Sequence, residues 1–208
     1  MELTEKLIEE TKELEEALCA LLLELAVLPA PSLKEEARAR FCKEFLERAG
    51  ATGVYIDEAL NVIYPIGCEN NGPISLFMAH TDLVFPDETP LPLKTDEERI
   101  YCPGIGDNDA NLAALLTVGA YIARKGLSPR QGGVLLVANA AEEGLGNLKG
   151  CKAVMAAYGH RIKEVVSFDS MNESFAVNRA CRFTSSDEAR ISLLTTRASE
   201  GRSFSPSG

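Results

Sequence analysis

Three apolar runs of strand length punctuate the middle of the chain: Ile74 to Ala79, Gly133 to Asn139 and Val165 to Phe168. Between them lie two segments patterned for helices, Asn111 to Lys125 and Gly146 to Tyr158. A continuous apolar run offers no polar face to water, so each one reads as a strand covered on both sides. Strands alternating with helices predict an α/β fold, with a largely parallel sheet under helices on both faces. At 208 residues the length suits one domain of this kind.

The N-terminal part prepares that sheet's cover. Leu3, Leu7, Leu14, Leu18, Leu21, Leu22 and Leu25 recur at helical spacing in a glutamate-rich segment, predicting an amphipathic helix over 3–27 that Pro29 and Pro31 end. Ser32 followed by Glu35 has the spacing of a capping box. It predicts a second helix that turns Phe41, Phe45 and Leu46 inward and stops at Gly50. Val54 to Ile56 and Asn61 to Ile66 predict a strand pair around a turn. From Arg182 the pattern dissolves: the last 27 residues hold seven serines and three threonines, with Ile191, Leu193 and Leu194 as their apolar cluster. Residues 182–208 are therefore expected to be an irregular or disordered tail on a folded 1–181.

Charge narrows the partners. The chain carries 31 acidic against 21 basic residues, a net charge of −10, much of it in the first helix. Such a surface repels phosphate backbones and anionic lipid heads, so nucleic acid and membrane surfaces are not expected partners. The apolar stretch from Ala17 to Pro29 contains Glu24 and is too short to span a bilayer. The acidic N-terminus lacks the basic region of a signal peptide. Cys19, Cys42, Cys68, Cys102, Cys151 and Cys181 are scattered without a Cys-x-x-Cys pair, as free thiols of a reducing compartment would be. The expected location is the cytoplasm.

The chemistry sits at the ends of the expected strands. His80 closes the first run, within Ala79-His80-Thr81-Asp82. Asp107 lies in the turn Gly104-Ile105-Gly106-Asp107-Asn108-Asp109, just before a helix. Glu142 and Glu143 follow the second run, and Asp169 follows the third. Each has a plain explanation by itself: a satisfied histidine, a helix-capping turn, solvated charge, a helix cap. Open α/β sheets bind ligands beyond the carboxyl ends of their strands, so together these residues are expected to converge on one rim. One neutral imidazole among carboxylates suits zinc, or a harder ion such as manganese or cobalt. A carboxylate lying between two ions can bridge them at about 3.5–4 Å. Adjacent Glu142 and Glu143 allow one to bind metal while the other takes a proton from water.

In this order and spacing, His-x-Asp, Gly-x-Gly-Asp, Glu-Glu-Gly and an aspartate after a strand resemble the two-zinc peptidases, the family of peptidase T, the glutamate carboxypeptidases, acetylornithine deacetylase and the aminoacylases. The resemblance runs from about residue 3 to 180 and is strongest at Ala79 to Pro86 and Glu142 to Gly146. It implies a three-layer α/β/α catalytic domain holding two Zn2+, or Co2+ or Mn2+. In that family's terms His80 and Asp169 hold one ion, Glu143 the other, and Asp107 bridges them. Asp82 would orient His80, Glu142 would be the general base, and the peptide bond after Asp107 would be cis. The implied reaction is hydrolysis of an amide bond in a small peptide, of the peptidase T-like di-/tripeptide aminopeptidase type. An N-acyl amino acid deacylase, or a non-catalytic metal-binding fragment, is the alternative.

Two departures qualify this. Many family members have Asp-Asp-Lys-Gly where this chain has Asp107-Asn108-Asp109-Ala110. The family also continues into a lid domain, through which it dimerises, and then a last sheet segment with a second metal-binding histidine. The other histidine here, His160, sits on a Tyr-Gly-His-Arg turn and reads as a surface residue. The expectation is an incomplete catalytic domain without its lid, from a truncated or frame-shifted reading or a misplaced gene boundary. Its second metal site would lack the last histidine, and its turnover would be impaired.

Overall fold

A computed structural model of the chain describes residues 5–96, 99–170, 176–181 and 193–194. The glutamate-rich segment forms α1 (Glu5–Ala26), which buries Leu21, Leu22 and Leu25. Helix α2 (Glu36–Arg48) buries Ala39, Cys42 and Leu46, with Phe41 and Phe45 packed partly inward. The hairpin β1 (Tyr55–Ile56) and β2 (Val62–Ile66) leads to β3 (Ile74–His80). A small excursion, β4 (Lys94–Thr95) with β5 (Ile100–Tyr101), precedes α3 (Ala110–Lys125) and β6 (Gly133–Asn139). Helix α4 (Lys149–Tyr158) and β7 (Ile162–Ser170) follow, then β8 (Ala176–Cys181) and β9 (Leu193–Leu194).

The main sheet has seven strands in the order β1-β2-β6-β3-β7-β8-β9. Its centre, β6-β3-β7, is parallel, and antiparallel strands flank it on both sides. The alternation of a strand's side chains divides the core between two faces. On one face Tyr64 and Leu136 meet Leu25, Leu46, Leu112 and Leu116 from the first three helices. On the other, Ile63, Leu76, Leu135 and Val137 meet Val154 of α4. This is the α/β/α layering the sequence led us to expect.

Three local expectations are corrected. Ser32 and Glu35 do not form a capping box: α2 begins at Glu36 without a side-chain cap. The Ser32 hydroxyl donates instead to Asp82 Oδ2 at 2.7 Å, and Glu35 Oε1 accepts from the amides of Leu33 and Ala141. Buried acceptors compete for those groups more strongly than a helix end does, because an unmet polar atom inside the protein is costly. Helix α4 starts at Lys149, not Gly146, since Asn147 and Leu148 adopt left-handed backbone, with φ of 48° and 59°. The third strand is longer than its apolar run, spanning Ile162 to Ser170.

Cys19, Cys42, Cys68 and Cys102 are free thiols. No helix among the described residues is long and apolar enough to cross a membrane. The tail expected from residue 182 falls outside the described residues apart from Leu193–Leu194.

Candidate metal centre

Because β3, β6 and β7 are parallel, their carboxyl ends share one rim. His80 ends β3 and pairs in register with Asn139, which ends β6. Asp169 stands near the end of β7, and Glu142 and Glu143 follow β6 within one short loop. Asp107 arrives on the turn before α3. Gly104 opens that turn at φ 82°, and a Cβ there would lie 2.3 Å from Leu83 Cδ2, so glycine answers both conformation and space. The Asp107–Asn108 peptide is cis, as the resemblance implied. Asn108 donates to the Phe168 carbonyl at 2.9 Å, tying the turn to β7.

The expected residues come together. His80 Nε2 lies 3.2 Å from Asp107 Oδ1 and 3.6 Å from Asp169 Oδ1. Ligand atoms of His80, Asp107 and Glu143 all lie within 4.8 Å of one another. The opposite ring nitrogen, Nδ1, faces Asp82, 3.0 Å from its carbonyl and 3.5 Å from Oδ1. Asp82 thus fixes the imidazole from behind and leaves Nε2 toward the carboxylates, the arrangement metal-bound histidines use. One nitrogen and several carboxylate oxygens at this spacing are a donor set that fits a divalent ion. His160, by contrast, is exposed on the turn after α4.

The electrostatics describe a site built for positive charge. Burial disfavours a charged His80, yet its contacts with Asp107, Asp169 and Asp82 outweigh that and push its pKa up to about 12. Burial also works against an ionised Asp82. Its bonds from His80, Ser32 and two backbone amides win, holding it down at about 2. Glu142 and Glu143 are shifted upward, chiefly by burial and further by the carboxylates around them, while His80 opposes the shift. An upward shift is the direction that makes a glutamate a better proton acceptor.

The loop carrying Glu142 and Glu143 is held at four consecutive backbone amides. Ala140 donates to Asn61 Oδ1 at 3.0 Å, and Ala141 to Glu35 Oε1 at 2.9 Å. Glu142 and Glu143 donate to the two oxygens of Asp82, at 3.0 and 2.9 Å. The loop's carbonyls are engaged too, Ala141 and Ala140 accepting from Lys149 and Gly150 at the start of α4. Gly146 lets the chain double back here: a Cβ would sit 2.6 Å from the Ala141 backbone.

Sequence reasoning missed the layer beneath. Arg38 is fully buried and donates through Nη1 to Asp109 Oδ1 at 2.5 Å and to the Thr81 carbonyl at 3.1 Å. Its Nη2 reaches the carbonyls of Leu25 and Leu28. One guanidinium therefore joins the end of α1, the residue between His80 and Asp82, and the turn that presents Asp107. A signal was available: Arg38, Cys42 and Leu46 fall at four-residue spacing on one stripe of α2. A cation on an apolar stripe needs an internal partner.

The sequence model of peptidase family M20/M25/M40 matches residues 76–184, just over half of the chain. Among solved structures, the fold is similar to aminopeptidase PepT from Bacillus cereus ATCC 10987, with a TM-score of 0.59, 19% identity, and coverage of 76% of this chain and 44% of that one. It is similar to human carnosine dipeptidase 1, with a TM-score of 0.62, 13% identity, and coverage of 80% and 41%. It is also similar to Bacillus subtilis YXEP, a dinuclear metal binding peptidase from the M20 family, with a TM-score of 0.52, 14% identity, and coverage of 78% and 45%. At these identities the likeness is one of fold, and the chain spans less than half the length of each. No curated sequence matches the chain.

Proposed function

The chain belongs to peptidase family M20/M25/M40, and from that premise we propose that it carries the metal-binding core of an amide-bond hydrolase, of the peptidase T-like di-/tripeptide aminopeptidase type. The observation that supports this most is the meeting of His80, Asp107 and Glu143 within 4.8 Å, with Asp169 at 3.6 Å from the same imidazole nitrogen.

In this reading His80 and Asp169 would hold one divalent ion and Glu143 a second, with Asp107 available to both. Zinc is the ion of choice, with cobalt or manganese as substitutes. Two such ions would polarise the scissile carbonyl and lower the pKa of an attacking water. Glu142, raised in pKa by its burial, takes that water's proton and passes it to the leaving amine. Asp82 keeps the His80 ring oriented and, through the amides of Glu142 and Glu143, keeps base and ligand in step.

A second reading, a metal-binding chain with impaired or no turnover, is favoured by one feature. Among the described residues, His80 is the single histidine at the site, and His160 is exposed elsewhere. Substrates are then small peptides, or N-acyl amino acids on the deacylase alternative, and the acidic surface and the scattered cysteines without a Cys-x-x-Cys pair support work in the cytoplasm.

Metal content after purification and dialysis tests the proposal, read with thermal stability in the presence of zinc. About one to two zinc ions per chain are expected, and His80→Ala and Asp107→Ala should lose them. A folded protein that keeps no zinc would refute it. Small-peptide hydrolysis by the loaded chain then separates the active reading from the impaired one.

A further inference from the structure

Glu35 has no role in the reaction outlined above, yet it is a carboxylate with no exposure to solvent. Nor is it consumed by the helix it precedes, which has no side-chain cap. Its Oε1 accepts from Leu33 in the approach to α2 and from Ala141 in the loop after β6. The second of these contacts spans 106 residues of sequence, and it falls on the residue directly before Glu142.

Ala141 is a demanding place for such a contact. Its φ is 51°, in the left-handed region that a residue with a Cβ adopts only when its surroundings impose it. Its neighbours are held as well, Ala140 by Asn61 and Glu142 and Glu143 by Asp82. Glu35 is the one anchor of this series that comes from the segment leading into α2, and it acts at the residue whose backbone sets the direction in which Glu142 leaves the strand.

We propose that Glu35 is a positioning residue for the site, holding the Ala141 amide so that Glu142 and Glu143 leave β6 in the orientation their roles require. The proposal deepens the reading of Glu142 as base and Glu143 as ligand, and in that sense rests on it. Glu35 acts through the backbone and touches neither substrate nor metal. What the contact needs is an acceptor oxygen at that point, not a negative charge. Burial raises the Glu35 pKa, and Oε2 meets no hydrogen-bond partner among the described residues. A neutral side chain with an oxygen at the same reach should therefore serve.

Three variants of the full chain test this. Glu35→Gln keeps length and acceptor, Glu35→Met keeps length and removes the acceptor, and Leu46→Ala damages the core packing of α2 without touching the loop. Two properties are read: amide hydrogen exchange at Ala141, Glu142 and Glu143 by NMR, and zinc affinity by competition with a chromophoric chelator. Glu35→Met should speed exchange at these amides by about tenfold, the value of one net hydrogen bond. It should also weaken zinc binding by roughly 10- to 100-fold, as loss of a supporting contact does. Glu35→Gln should restore both, while Leu46→Ala should lower the melting temperature and leave zinc affinity in place.

If Glu35→Met leaves the three amides protected, or Leu46→Ala weakens zinc binding as much as Glu35→Met does, the proposal is overturned. Should Glu35→Met not fold, Glu35→Asp, one methylene short of Ala141, replaces it with the same expected direction. A wild-type chain that binds no zinc would count against the proposed function alone, because the exchange measurement still decides whether Glu35 holds the loop.

Discussion

Asp107 and Asp109 stand two residues apart on one turn and live in opposite surroundings. Asp107 has a side chain 50% exposed and points into the ring of carboxylates around His80. Asp109 is sealed at 1% against the guanidinium of Arg38. On the proposed function, one carboxylate is reserved for a cation that comes from outside; the other is matched to a cation the chain supplies itself. The same contrast runs through the whole site. The acid-rich rim is open and short of positive charge, while the layer under it, Arg38 with Asp109, Glu35 and Asn61, is closed and hydrogen-bonded across several elements. The rim carboxylates can crowd together because the layer beneath them holds the backbone in place.

Breaking the lower layer should therefore cost stability, and breaking the rim should cost metal. The largest effect is expected from Arg38→Leu, which strands Asp109 as an uncompensated buried charge. Urea denaturation should show a loss of about 3–5 kcal/mol, and a loss under 1 kcal/mol would mean that the pair is not sealed as described. Next comes Asp82→Asn, which turns an amide donor toward one of the two backbone donors it must accept from. Zinc affinity should fall by roughly 10- to 100-fold, read by chelator competition.

Glu35→Gln sharpens the comparison through pH. The folded protein holds the Glu35 pKa above its ordinary value of 4.5, chiefly by burial. The folded state therefore keeps this proton at pH values where the unfolded chain has lost it, and stability falls as pH rises from about 4.5 through the folded pKa. Glutamine has no proton to lose. Relative to wild type, the variant should gain stability toward neutral pH, with the gap closing below pH 4.5, as parallel melting curves would show. The smallest effect is expected from Asp107→Ala in the metal-free protein, a loss below about 1 kcal/mol, since the half-exposed carboxylate gives up its contact with His80 while its removal eases crowding with Glu143. A large destabilisation would erase the distinction between rim and support.

The rim was legible in the sequence, and the support largely was not. A strand covered on both faces must be continuously apolar, so its end is marked wherever a charged residue first follows, as at His80, Glu142 and Asp169. Asp107 was marked by its glycines. Ser32 and Glu35 carried a familiar helix-start spacing, but that spacing says only that a hydroxyl and a carboxylate lie near each other in the chain. Which donors they meet is decided by residues 50 and 106 positions away. Asn61 read simply as the start of a strand, although it caps the Ala140 amide. Arg38 gave a weak signal, one cation on an apolar stripe. The start of α4 was misplaced because left-handed backbone at Leu148 is imposed by the neighbouring loop and leaves no mark in a leucine.

The pairing of β3 with β6 has a consequence for how such a chain can change in length. The two strands run in unbroken register from Ile74 opposite Gly133 to His80 opposite Asn139. One residue inserted anywhere in β3 would swing His80 to the other face of the sheet, because side chains alternate at every step. The register irregularity between β3 and β7 falls at Ile74/Ser75, the end farthest from His80, where a slip moves none of the rim residues. The excursion through β4 and β5 lies between Leu83 and the Gly104 turn, and makes its own separate two-stranded sheet. Insertions and deletions can accumulate there while the strands remain fixed in length, so the spacing from His80 to Asp107 is free to drift and the count of residues within β3 is not.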